Sequence, residues 1–347
     1  MRSTTTQPLD RYGVASGLAV VAVILLLVYL GSGGLRWFDA ALAGYLAGVV
    51  LAAFAVVYRY VVWTRRPPTA VLRERGWRGF MAPGRRWRNV VGLPRVLWTQ
   101  LFGQSFIRRR SLSRWIAHQT VFWGCVLAAL VTFPLTFGWL HFESVGQNDR
   151  RYRAFFANWG FFSFESRSVV GWLMFHALDI SAVLVLVGVF IFLHRRLRDP
   201  GAMAVERGSD FLPLAGLFAV SVTGLMLTAS SLWMEGRFYT FLTNVHAATV
   251  IFGLLYIPFG KLFHIFQRPG NVGVAYARQV WATEAASCRS CGAEFAPAAQ
   301  IEDLKRILPA VGFDYSDPDG GHYQDTCPRC RRQLVTMAQS SRVGGFG

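Results

Sequence analysis

Long apolar stretches alternate with polar, arginine-rich segments along the chain. Six of the apolar stretches are long enough, and poor enough in charged residues, to cross a bilayer as helices. The pattern predicts these spans at residues 14–31, 40–63, 116–139, 169–193, 211–231 and 242–266. We therefore expect an all-α membrane protein. The first span has neither a clear basic segment before it nor a small-residue cleavage site after it, so we interpret it as a retained helix rather than a signal peptide.

The composition and the placement of charge support this interpretation. Of the 347 residues, 53% are hydrophobic and 15% are aromatic, which is typical of an integral membrane protein. The formal net charge is +17, but the arginines gather at 65–114, at 195–198 and from 268 onwards, next to the ends of spans. By the positive-inside rule these regions are cytoplasmic, which also places both termini in the cytoplasm. The charge is thus explained by a lipid bilayer, and no nucleic-acid partner is expected.

Four histidines follow a regular spacing in the fourth and sixth spans. His176 and His194 are 18 residues apart, and so are His246 and His264. In a continuous helix this spacing is five turns, or about 27 Å, so each span would present one imidazole near each membrane surface. Imidazoles from neighbouring helices can bind haem iron, so the spacing predicts two stacked haems in a four-helix core. Pro258 is expected to kink the sixth span between its histidines.

His118, near the start of the third span, competes with His194 as the partner of His264. His118 lies four residues after Arg114, and His264 lies four residues before Arg268, so these two histidines have matching depths. His194 directly adjoins an arginine and is expected closer to the interface. We therefore prefer His118 as the ligand and keep His194 as the alternate.

Five further residues near these histidines carry weaker signals. Asp179 is expected to make a capping or interhelical hydrogen bond, with outer-side proton release as the alternative. Lys261 is expected to reach lipid phosphate rather than a haem propionate, and His141 to be an interfacial residue. Gly124 and Gly253 lack side chains and would let a flat macrocycle approach the backbone, although glycine is common in membrane helices.

The first two spans and the polar connectors contain no preferred ligand. Residues 1–64 are expected to form a helix pair that packs against the core or docks a partner. The arginine-rich connector at 65–114 is interpreted as a membrane-surface segment, which is compatible with a docking surface for a cytoplasmic subunit. The aromatic-rich outer connection at 140–168 is expected to be an interfacial belt, or alternatively the wall of a quinone pocket.

Three runs of sequence resemble a known family: LHRRLRDP, GSDFLPLAGLFAVSVTGLM and NVHAATVIFGLLYIPFGKLFHIFQRP. The family is that of the respiratory nitrate reductase gamma subunit, with the cytochrome b subunits of heterodisulfide and dissimilatory sulfite reductase complexes. The resemblance covers residues 115–270, and its most specific element is the last helix, which ends in a Pro-x-x-Lys-x-x-His pattern. It implies a nitrate reductase gamma-like dihaem cytochrome b core in a bacterial or archaeal cytoplasmic membrane.

The resemblance also implies cofactors, partners and ligands. A subunit of this kind carries two haem b groups, exchanges electrons with a membrane quinone and anchors cytoplasmic iron–sulfur and molybdopterin-type subunits. By position, His246 and His264 match the ligands of the last core helix, and His118 matches the cytoplasmic-side ligand of the first. Where the nitrate reductase type has a second histidine in that first helix, this chain has Ala128, so the role would pass to His176.

The polar tail contains two Cys-x-x-Cys pairs, Cys288 with Cys291 and Cys327 with Cys330. Four thiolates complete a tetrahedral structural metal site, and in the reducing cytoplasm metal binding is favoured over disulfides. We expect a small zinc-ribbon domain at 283–335, with a rubredoxin-like iron site as the alternative. The fifth cysteine, Cys125, stands alone in the third span.

These features predict an electron-transfer subunit of an oxidoreductase complex rather than a self-contained enzyme. It would carry electrons between membrane quinone and a cytoplasmic partner through two haems, with the substrate chemistry in the partner. The main alternative is a membrane transporter, although no internal repeat is evident. A non-redox membrane anchor with a zinc-binding tail is the other alternative, and it predicts a colourless protein.

Overall fold

The fold is known from a computed structural model that describes residues 9–145, 150–199, 201, 211–317 and 320–343. Parts of the predicted domains therefore lie outside the described residues, namely 1–8, 146–149, 200, 202–210 and 318–319. The chain is 72% helical. It divides into two compact units, the first formed by residues 1–61 and 103–266 and the second by residues 62–102 and 267–347.

The helices and strands of the described residues are numbered here in chain order. The helices are α1 (Arg11–Gly31), α2 (Ala43–Arg65), α3 (Thr69–Phe80), α4 (Arg86–Leu97), α5 (Ser105–Arg110), α6 (Leu112–Thr136), α7 (Val169–Arg198), α8 (Leu212–Trp233), α9 (Tyr239–Tyr256), α10 (His264–Gln267), α11 (Gly270–Trp281), α12 (Ala298–Ala310) and α13 (Pro328–Val343). The strands are β1 (Leu140–Ser144), β2 (Arg151–Phe156), β3 (Trp159–Glu165), β4 (Ala285–Ser287) and β5 (Glu294–Pro297).

Within the described ranges, six helices have the length and apolarity of membrane spans, as the sequence predicts. They are α1, α2 with the 3₁₀ turn before it, α6, α7, α8 and α9. Large apolar side chains such as Leu26, Leu130 and Phe190 are exposed on them. Exposed apolar surface of this extent is stable only in contact with lipid or a partner, so the chain is a multi-pass membrane protein.

The predicted sixth span, 242–266, is wrong in one important respect. Helix α9 stops at Tyr256, and the chain passes through a turn and the 3₁₀ segment Lys261–Phe263 before α10 begins at His264. Pro258 has no N–H to continue the ladder and its ring crowds the preceding turn, so the helix breaks here rather than kinks. His246 and His264 therefore do not lie on one continuous helix, and the expected spacing of five turns does not apply.

The core of the first unit is a sequence of neighbouring helices, in which α6 packs on α7, α7 on α8 and α8 on α9. The crossing of α6 and α7 is very close. A Cβ atom at Gly124 would lie 2.7 Å from the Val185 side chain and 3.0 Å from the Ser181 carbonyl, and one at Gly188 would lie 2.6 Å from the Ala117 carbonyl. Gly124 thus serves helix packing, which corrects its expected role beside a macrocycle.

The N-terminal helix pair also packs through glycines within this unit. Gly13 and Gly17 of α1 face the rings of Tyr58 and Phe54 on α2. On its other side, α2 presents Gly48 to α9, where a Cβ atom would lie 3.5 Å from the nearest side chain. The pair is therefore part of the helix assembly around α9, in agreement with the packing role expected for it.

The outer connection forms a sheet, which the sequence analysis did not predict. Strands β1, β2 and β3 pair antiparallel in that order, and β2 and β3 are joined by Ala157 and Asn158, both with positive φ. Aromatic rings on the sheet pack against Phe175 at the start of α7, at centroid distances of 5.5 Å for Tyr152 and 5.9 Å for Phe164. Some of the aromatic residues predicted to form an interfacial belt therefore pack on one face of a small sheet.

The second unit combines residues 65–102 of the arginine-rich connector with the tail. Helices α3 and α11 cross closely, because a Cβ atom at Gly79 would lie 2.2 Å from the Tyr276 carbonyl. The carboxylate of Asp303 on α12 is buried and accepts hydrogen bonds from Arg75 of α3 at 3.0 Å and from the Trp281 indole at 3.0 Å. A buried ion pair with a further donor ties these helices together, so the connector and the tail fold as one body.

The close crossing of α6 and α7 generates a stability prediction. The substitution Gly124→Ala places a methyl group against the Val185 side chain and the Ser181 backbone, and overpacking of this kind destabilises by about 1–3 kcal/mol. The detergent-solubilised variant should unfold at a lower temperature than the wild type. Gly216→Ala on α8 is the matched control, because a Cβ atom there meets nothing within 4 Å. Equal melting temperatures for the two variants would contradict the packing assignment.

Candidate functional sites

His118 and His264 meet in the structure. His118 lies in the second turn of α6 and His264 begins α10, and their ring centroids are 6.4 Å apart with planes at 77°. Two imidazoles that bind one metal from opposite sides, each through a bond of about 2 Å, have ring centres separated by roughly 6 Å. The alternate ligand, His194, is exposed near the end of α7. The geometry therefore favours His118 over His194 as the neighbour of His264.

The imidazole of His264 is oriented by its own backbone segment. Its Nδ1 lies 2.7 Å from the Lys261 carbonyl, and because a carbonyl only accepts, Nδ1 carries the proton. With its proton on Nδ1, the neutral ring carries its lone pair on Nε2, which is the nitrogen that could bind a metal. The part of Lys261 that matters for this geometry is its backbone oxygen, whereas the sequence analysis considered only its ammonium group.

The imidazole of His176 is held by a carboxylate. Its Nδ1 lies 2.7 Å from Asp179 Oδ2, and the other carboxylate oxygen accepts a hydrogen bond of 2.7 Å from the Thr228 hydroxyl on α8. The interhelical hydrogen bond expected of Asp179 is therefore present. A carboxylate partner fixes the ring orientation and raises the basicity of Nε2, which is the arrangement found behind many metal-bound histidines.

The imidazole of His246 is held by a hydroxyl group of the same helix α8. The Thr223 hydroxyl donates to the Ala219 carbonyl at 2.7 Å, so its oxygen accepts from His246 Nδ1, which lies 2.9 Å away. The next residue, Gly224, has no side chain, and a Cβ atom there would be 3.4 Å from the His246 ring. As in His176 and His264, the hydrogen bond at Nδ1 fixes the orientation of the ring.

Helix α8 is thus the element whose role sequence reasoning missed. It contains no histidine, yet Thr223 orients His246, and Thr228 orients His176 through Asp179. The sequence signal was a pair of threonines in an apolar helix. Such pairs are common, so they do not indicate a contact with a histidine unless the packing of the helices is known. The pairing of His176 with His246 across one cofactor stays a prediction.

Two other expected residues can be placed. A Cβ atom at Gly253, two turns after His246 on the same face of α9, would meet nothing within 4 Å, so space is open there. His141 on β1 is stacked between Trp37 and Phe155, with ring centroids 4.1 Å and 5.0 Å away. Burial, with a smaller contribution from Arg36, lowers the pKa of His141, so the ring is a neutral packing element of the outer sheet.

The four tail cysteines converge as the sequence predicts. Their sulfur atoms all lie within 4.8 Å of one another, so the group could hold a metal ion such as zinc or iron. Cys288, Cys327 and Cys330 are buried, while Cys291 is exposed. The turn after the first pair uses Gly292 with φ of 72°, a left-handed conformation that favours glycine. Cys125 lies apart from this group, in α6.

The electrostatics of the cluster are compatible with a bound cation. Backbone N–H groups, that of Cys327 first, lower the pKa of the Cys288 thiol to about 6. The neighbouring sulfurs, that of Cys327 first, raise the pKa of Cys330 to about 12. Four thiolates at this separation repel one another, so they ionise together only when a metal ion compensates their charge.

Comparison with known proteins identifies no relative of this chain. None of the known protein-family models, curated proteins or solved structures matches the chain. The resemblance to nitrate reductase gamma subunits therefore stays a hypothesis drawn from the sequence runs quoted above.

The cysteine cluster predicts a bound metal ion. Full-length protein should purify with about one zinc ion per chain, or about one iron ion beyond the iron held as haem, and Cys327→Ser should lose it, because three thiolates and a hydroxyl bind far more weakly than four thiolates. Elemental analysis by mass spectrometry measures both. Cys125→Ser is the control and should keep the ion. Metal retained in Cys327→Ser at the wild-type level would rule out the four-cysteine site.

Proposed function

We propose that the chain is the dihaem cytochrome b subunit of a respiratory oxidoreductase complex. In this role it transfers electrons between membrane quinone and a cytoplasmic partner of the iron–sulfur or molybdopterin type. The observation that carries the proposal is the shared chemistry of three histidines from separate segments. His176, His246 and His264 each have Nδ1 within hydrogen-bond distance of an oxygen atom, which fixes the ring orientation as in metal-binding histidines.

The inner haem is assigned to His118 and His264, and the outer haem to His176 and His246. The ring separation of 6.4 Å between His118 and His264 supports the first pair, and the common attachment of His176 and His246 to α8 supports the second. Haem would supply the one-electron redox chemistry. The chain would contribute axial nitrogen atoms, their fixed orientation and an apolar surrounding that excludes water.

The outer sheet is a candidate wall for the quinone. Phe142, Tyr152 and Phe164 pack around Phe175, the residue directly before His176, and Trp172 lies 5.1 Å from the His176 ring. Apolar and aromatic linings with a few polar groups are typical of sites for such ligands. Both termini would face the cytoplasm of a bacterium or archaeon, and the tail would hold zinc, with iron as the alternative.

The proposal is tested by a reduced-minus-oxidised visible spectrum of the purified protein, with haem quantified per chain. We expect about two b-type haems per polypeptide. His118→Ala should lose one of them, because it removes an axial ligand, whereas the exposed His194→Ala should keep both. A well-folded wild-type preparation without haem would refute the proposal and favour a transporter or a non-redox anchor. Loss of haem in His194→Ala alone would reverse the ligand assignment.

The carboxylate behind His176 predicts a difference in reduction potential. Asp179→Asn replaces a charged acceptor by a neutral one, so His176 becomes a less basic ligand and stabilises the oxidised iron less. The midpoint potential of one haem should rise and that of the other should stay unchanged in a spectroscopic redox titration. Asp39→Asn, which removes an exposed carboxylate from the cap of the turn Ala40–Leu42, is the control. Identical midpoint potentials in Asp179→Asn and wild type would show that Asp179 does not act on the haem.

A further inference from the structure

A single arginine of the N-terminal helix pair reaches the break in the last span. Arg59 lies six residues before the end of α2, and its Nη1 donates a hydrogen bond to the Pro258 carbonyl. Its guanidinium carbon lies 4.3 Å from the centroid of the Phe263 ring, and Phe263 is only 2% exposed. Ionisable residues within membrane spans are costly and tend to be functional, so this contact calls for an explanation.

The break in the span needs polar partners for its backbone. Where a helix ends inside an apolar region, each carbonyl without a partner costs free energy, because no water is present to bond it. Phe259 and Gly260 return hydrogen bonds to the Tyr256 carbonyl at 3.1 Å and 2.9 Å. The Pro258 carbonyl points to the neighbouring helix instead, and Arg59 is the donor that meets it.

The segment that Arg59 holds is the segment that carries His264. Phe263, under the guanidinium, directly precedes His264, and the Lys261 carbonyl that orients the imidazole lies between Pro258 and His264. The position of the His264 ring therefore depends on how this segment is fixed. Arginine has five N–H donors in a rigid fork, and the side chain of Arg59 is exposed, so it retains donors and charge for a further acceptor.

We propose that Arg59 is a positioning residue for His264 and places a fixed positive charge beside the cofactor that His264 binds. This inference rests on the proposed haem function. The contact anchors the broken end of the last span. The charge favours the reduced state of the cofactor, whose net charge is more negative by one, and its remaining donors suit a carboxylate group of the macrocycle. The N-terminal helix pair, which lies outside the family resemblance, thereby acquires a role in the redox site.

The test compares Arg59→Gln and Arg59→Lys with wild type in the full-length protein. In redox titrations, Arg59→Gln should lower the midpoint potential of one haem and leave the other unchanged. Arg59→Lys keeps the positive charge but lacks the forked guanidinium donors, so it should shift the midpoint potential of that haem less. Low-temperature electron paramagnetic resonance of the oxidised protein should show a changed signal for the same haem, because its axial imidazole is reoriented. Arg36→Gln removes a positive charge from the connection between α1 and α2 and is the control.

The possible outcomes separate this inference from the function on which it rests. Wild-type protein without haem refutes both. Two haems with unchanged potentials and an unchanged resonance signal in Arg59→Gln refute the role of Arg59 alone. Loss of one haem in Arg59→Gln supports the positioning role, whereas equal loss of both haems in both Arg59 variants indicates general unfolding and counts against it.

Discussion

The constraint on which the first unit depends is that polar groups inside a bilayer must find their partners within the protein. Each imidazole N–H and each carbonyl at a helix break that lacks a partner costs free energy in an apolar medium. Thr223, Asp179 with Thr228 and the Lys261 carbonyl meet this requirement for three histidines, and Arg59 meets it for the Pro258 carbonyl. Satisfying the Nδ1 atoms has a second effect, because it fixes the orientation of each ring.

Two helices without a histidine are therefore as important to the candidate site as those that carry one. Helix α8 supplies the hydroxyl groups behind His176 and His246, and α2 supplies the charge at the broken end of the last span. Because these contacts join residues far apart in sequence, the site depends on the packing of the whole helix assembly. The close crossing of α6 and α7 at their glycines also contributes, because it fixes the position of α6 and therefore of His118.

The sequence predicted the features that depend on local pattern. Apolar length located the six spans, and the spacing of two Cys-x-x-Cys pairs located the cysteine cluster, because both signals are contained in short segments. The sequence did not reveal the break after Tyr256, since a proline in a span can either kink or end a helix and the local pattern does not distinguish the two. The hairpin of β2 and β3 was also missed, because Ala157 and Asn158 make a weaker turn signal than Asn-Gly.

The two units solve the same electrostatic problem in different ways. In the second unit, a buried carboxylate, Asp303, is compensated by Arg75. In the cysteine cluster, the pKa of Cys288 is lowered by backbone N–H groups and that of Cys330 is raised by the neighbouring sulfurs. In the first unit, hydrogen bonds hold the imidazoles of His176, His246 and His264, and the charged Arg59 keeps an exposed face. The two units therefore differ in what completes them. Hydrogen bonds meet the polar groups around His176 and His246, whereas the four cysteine sulfurs can be held together by a metal ion.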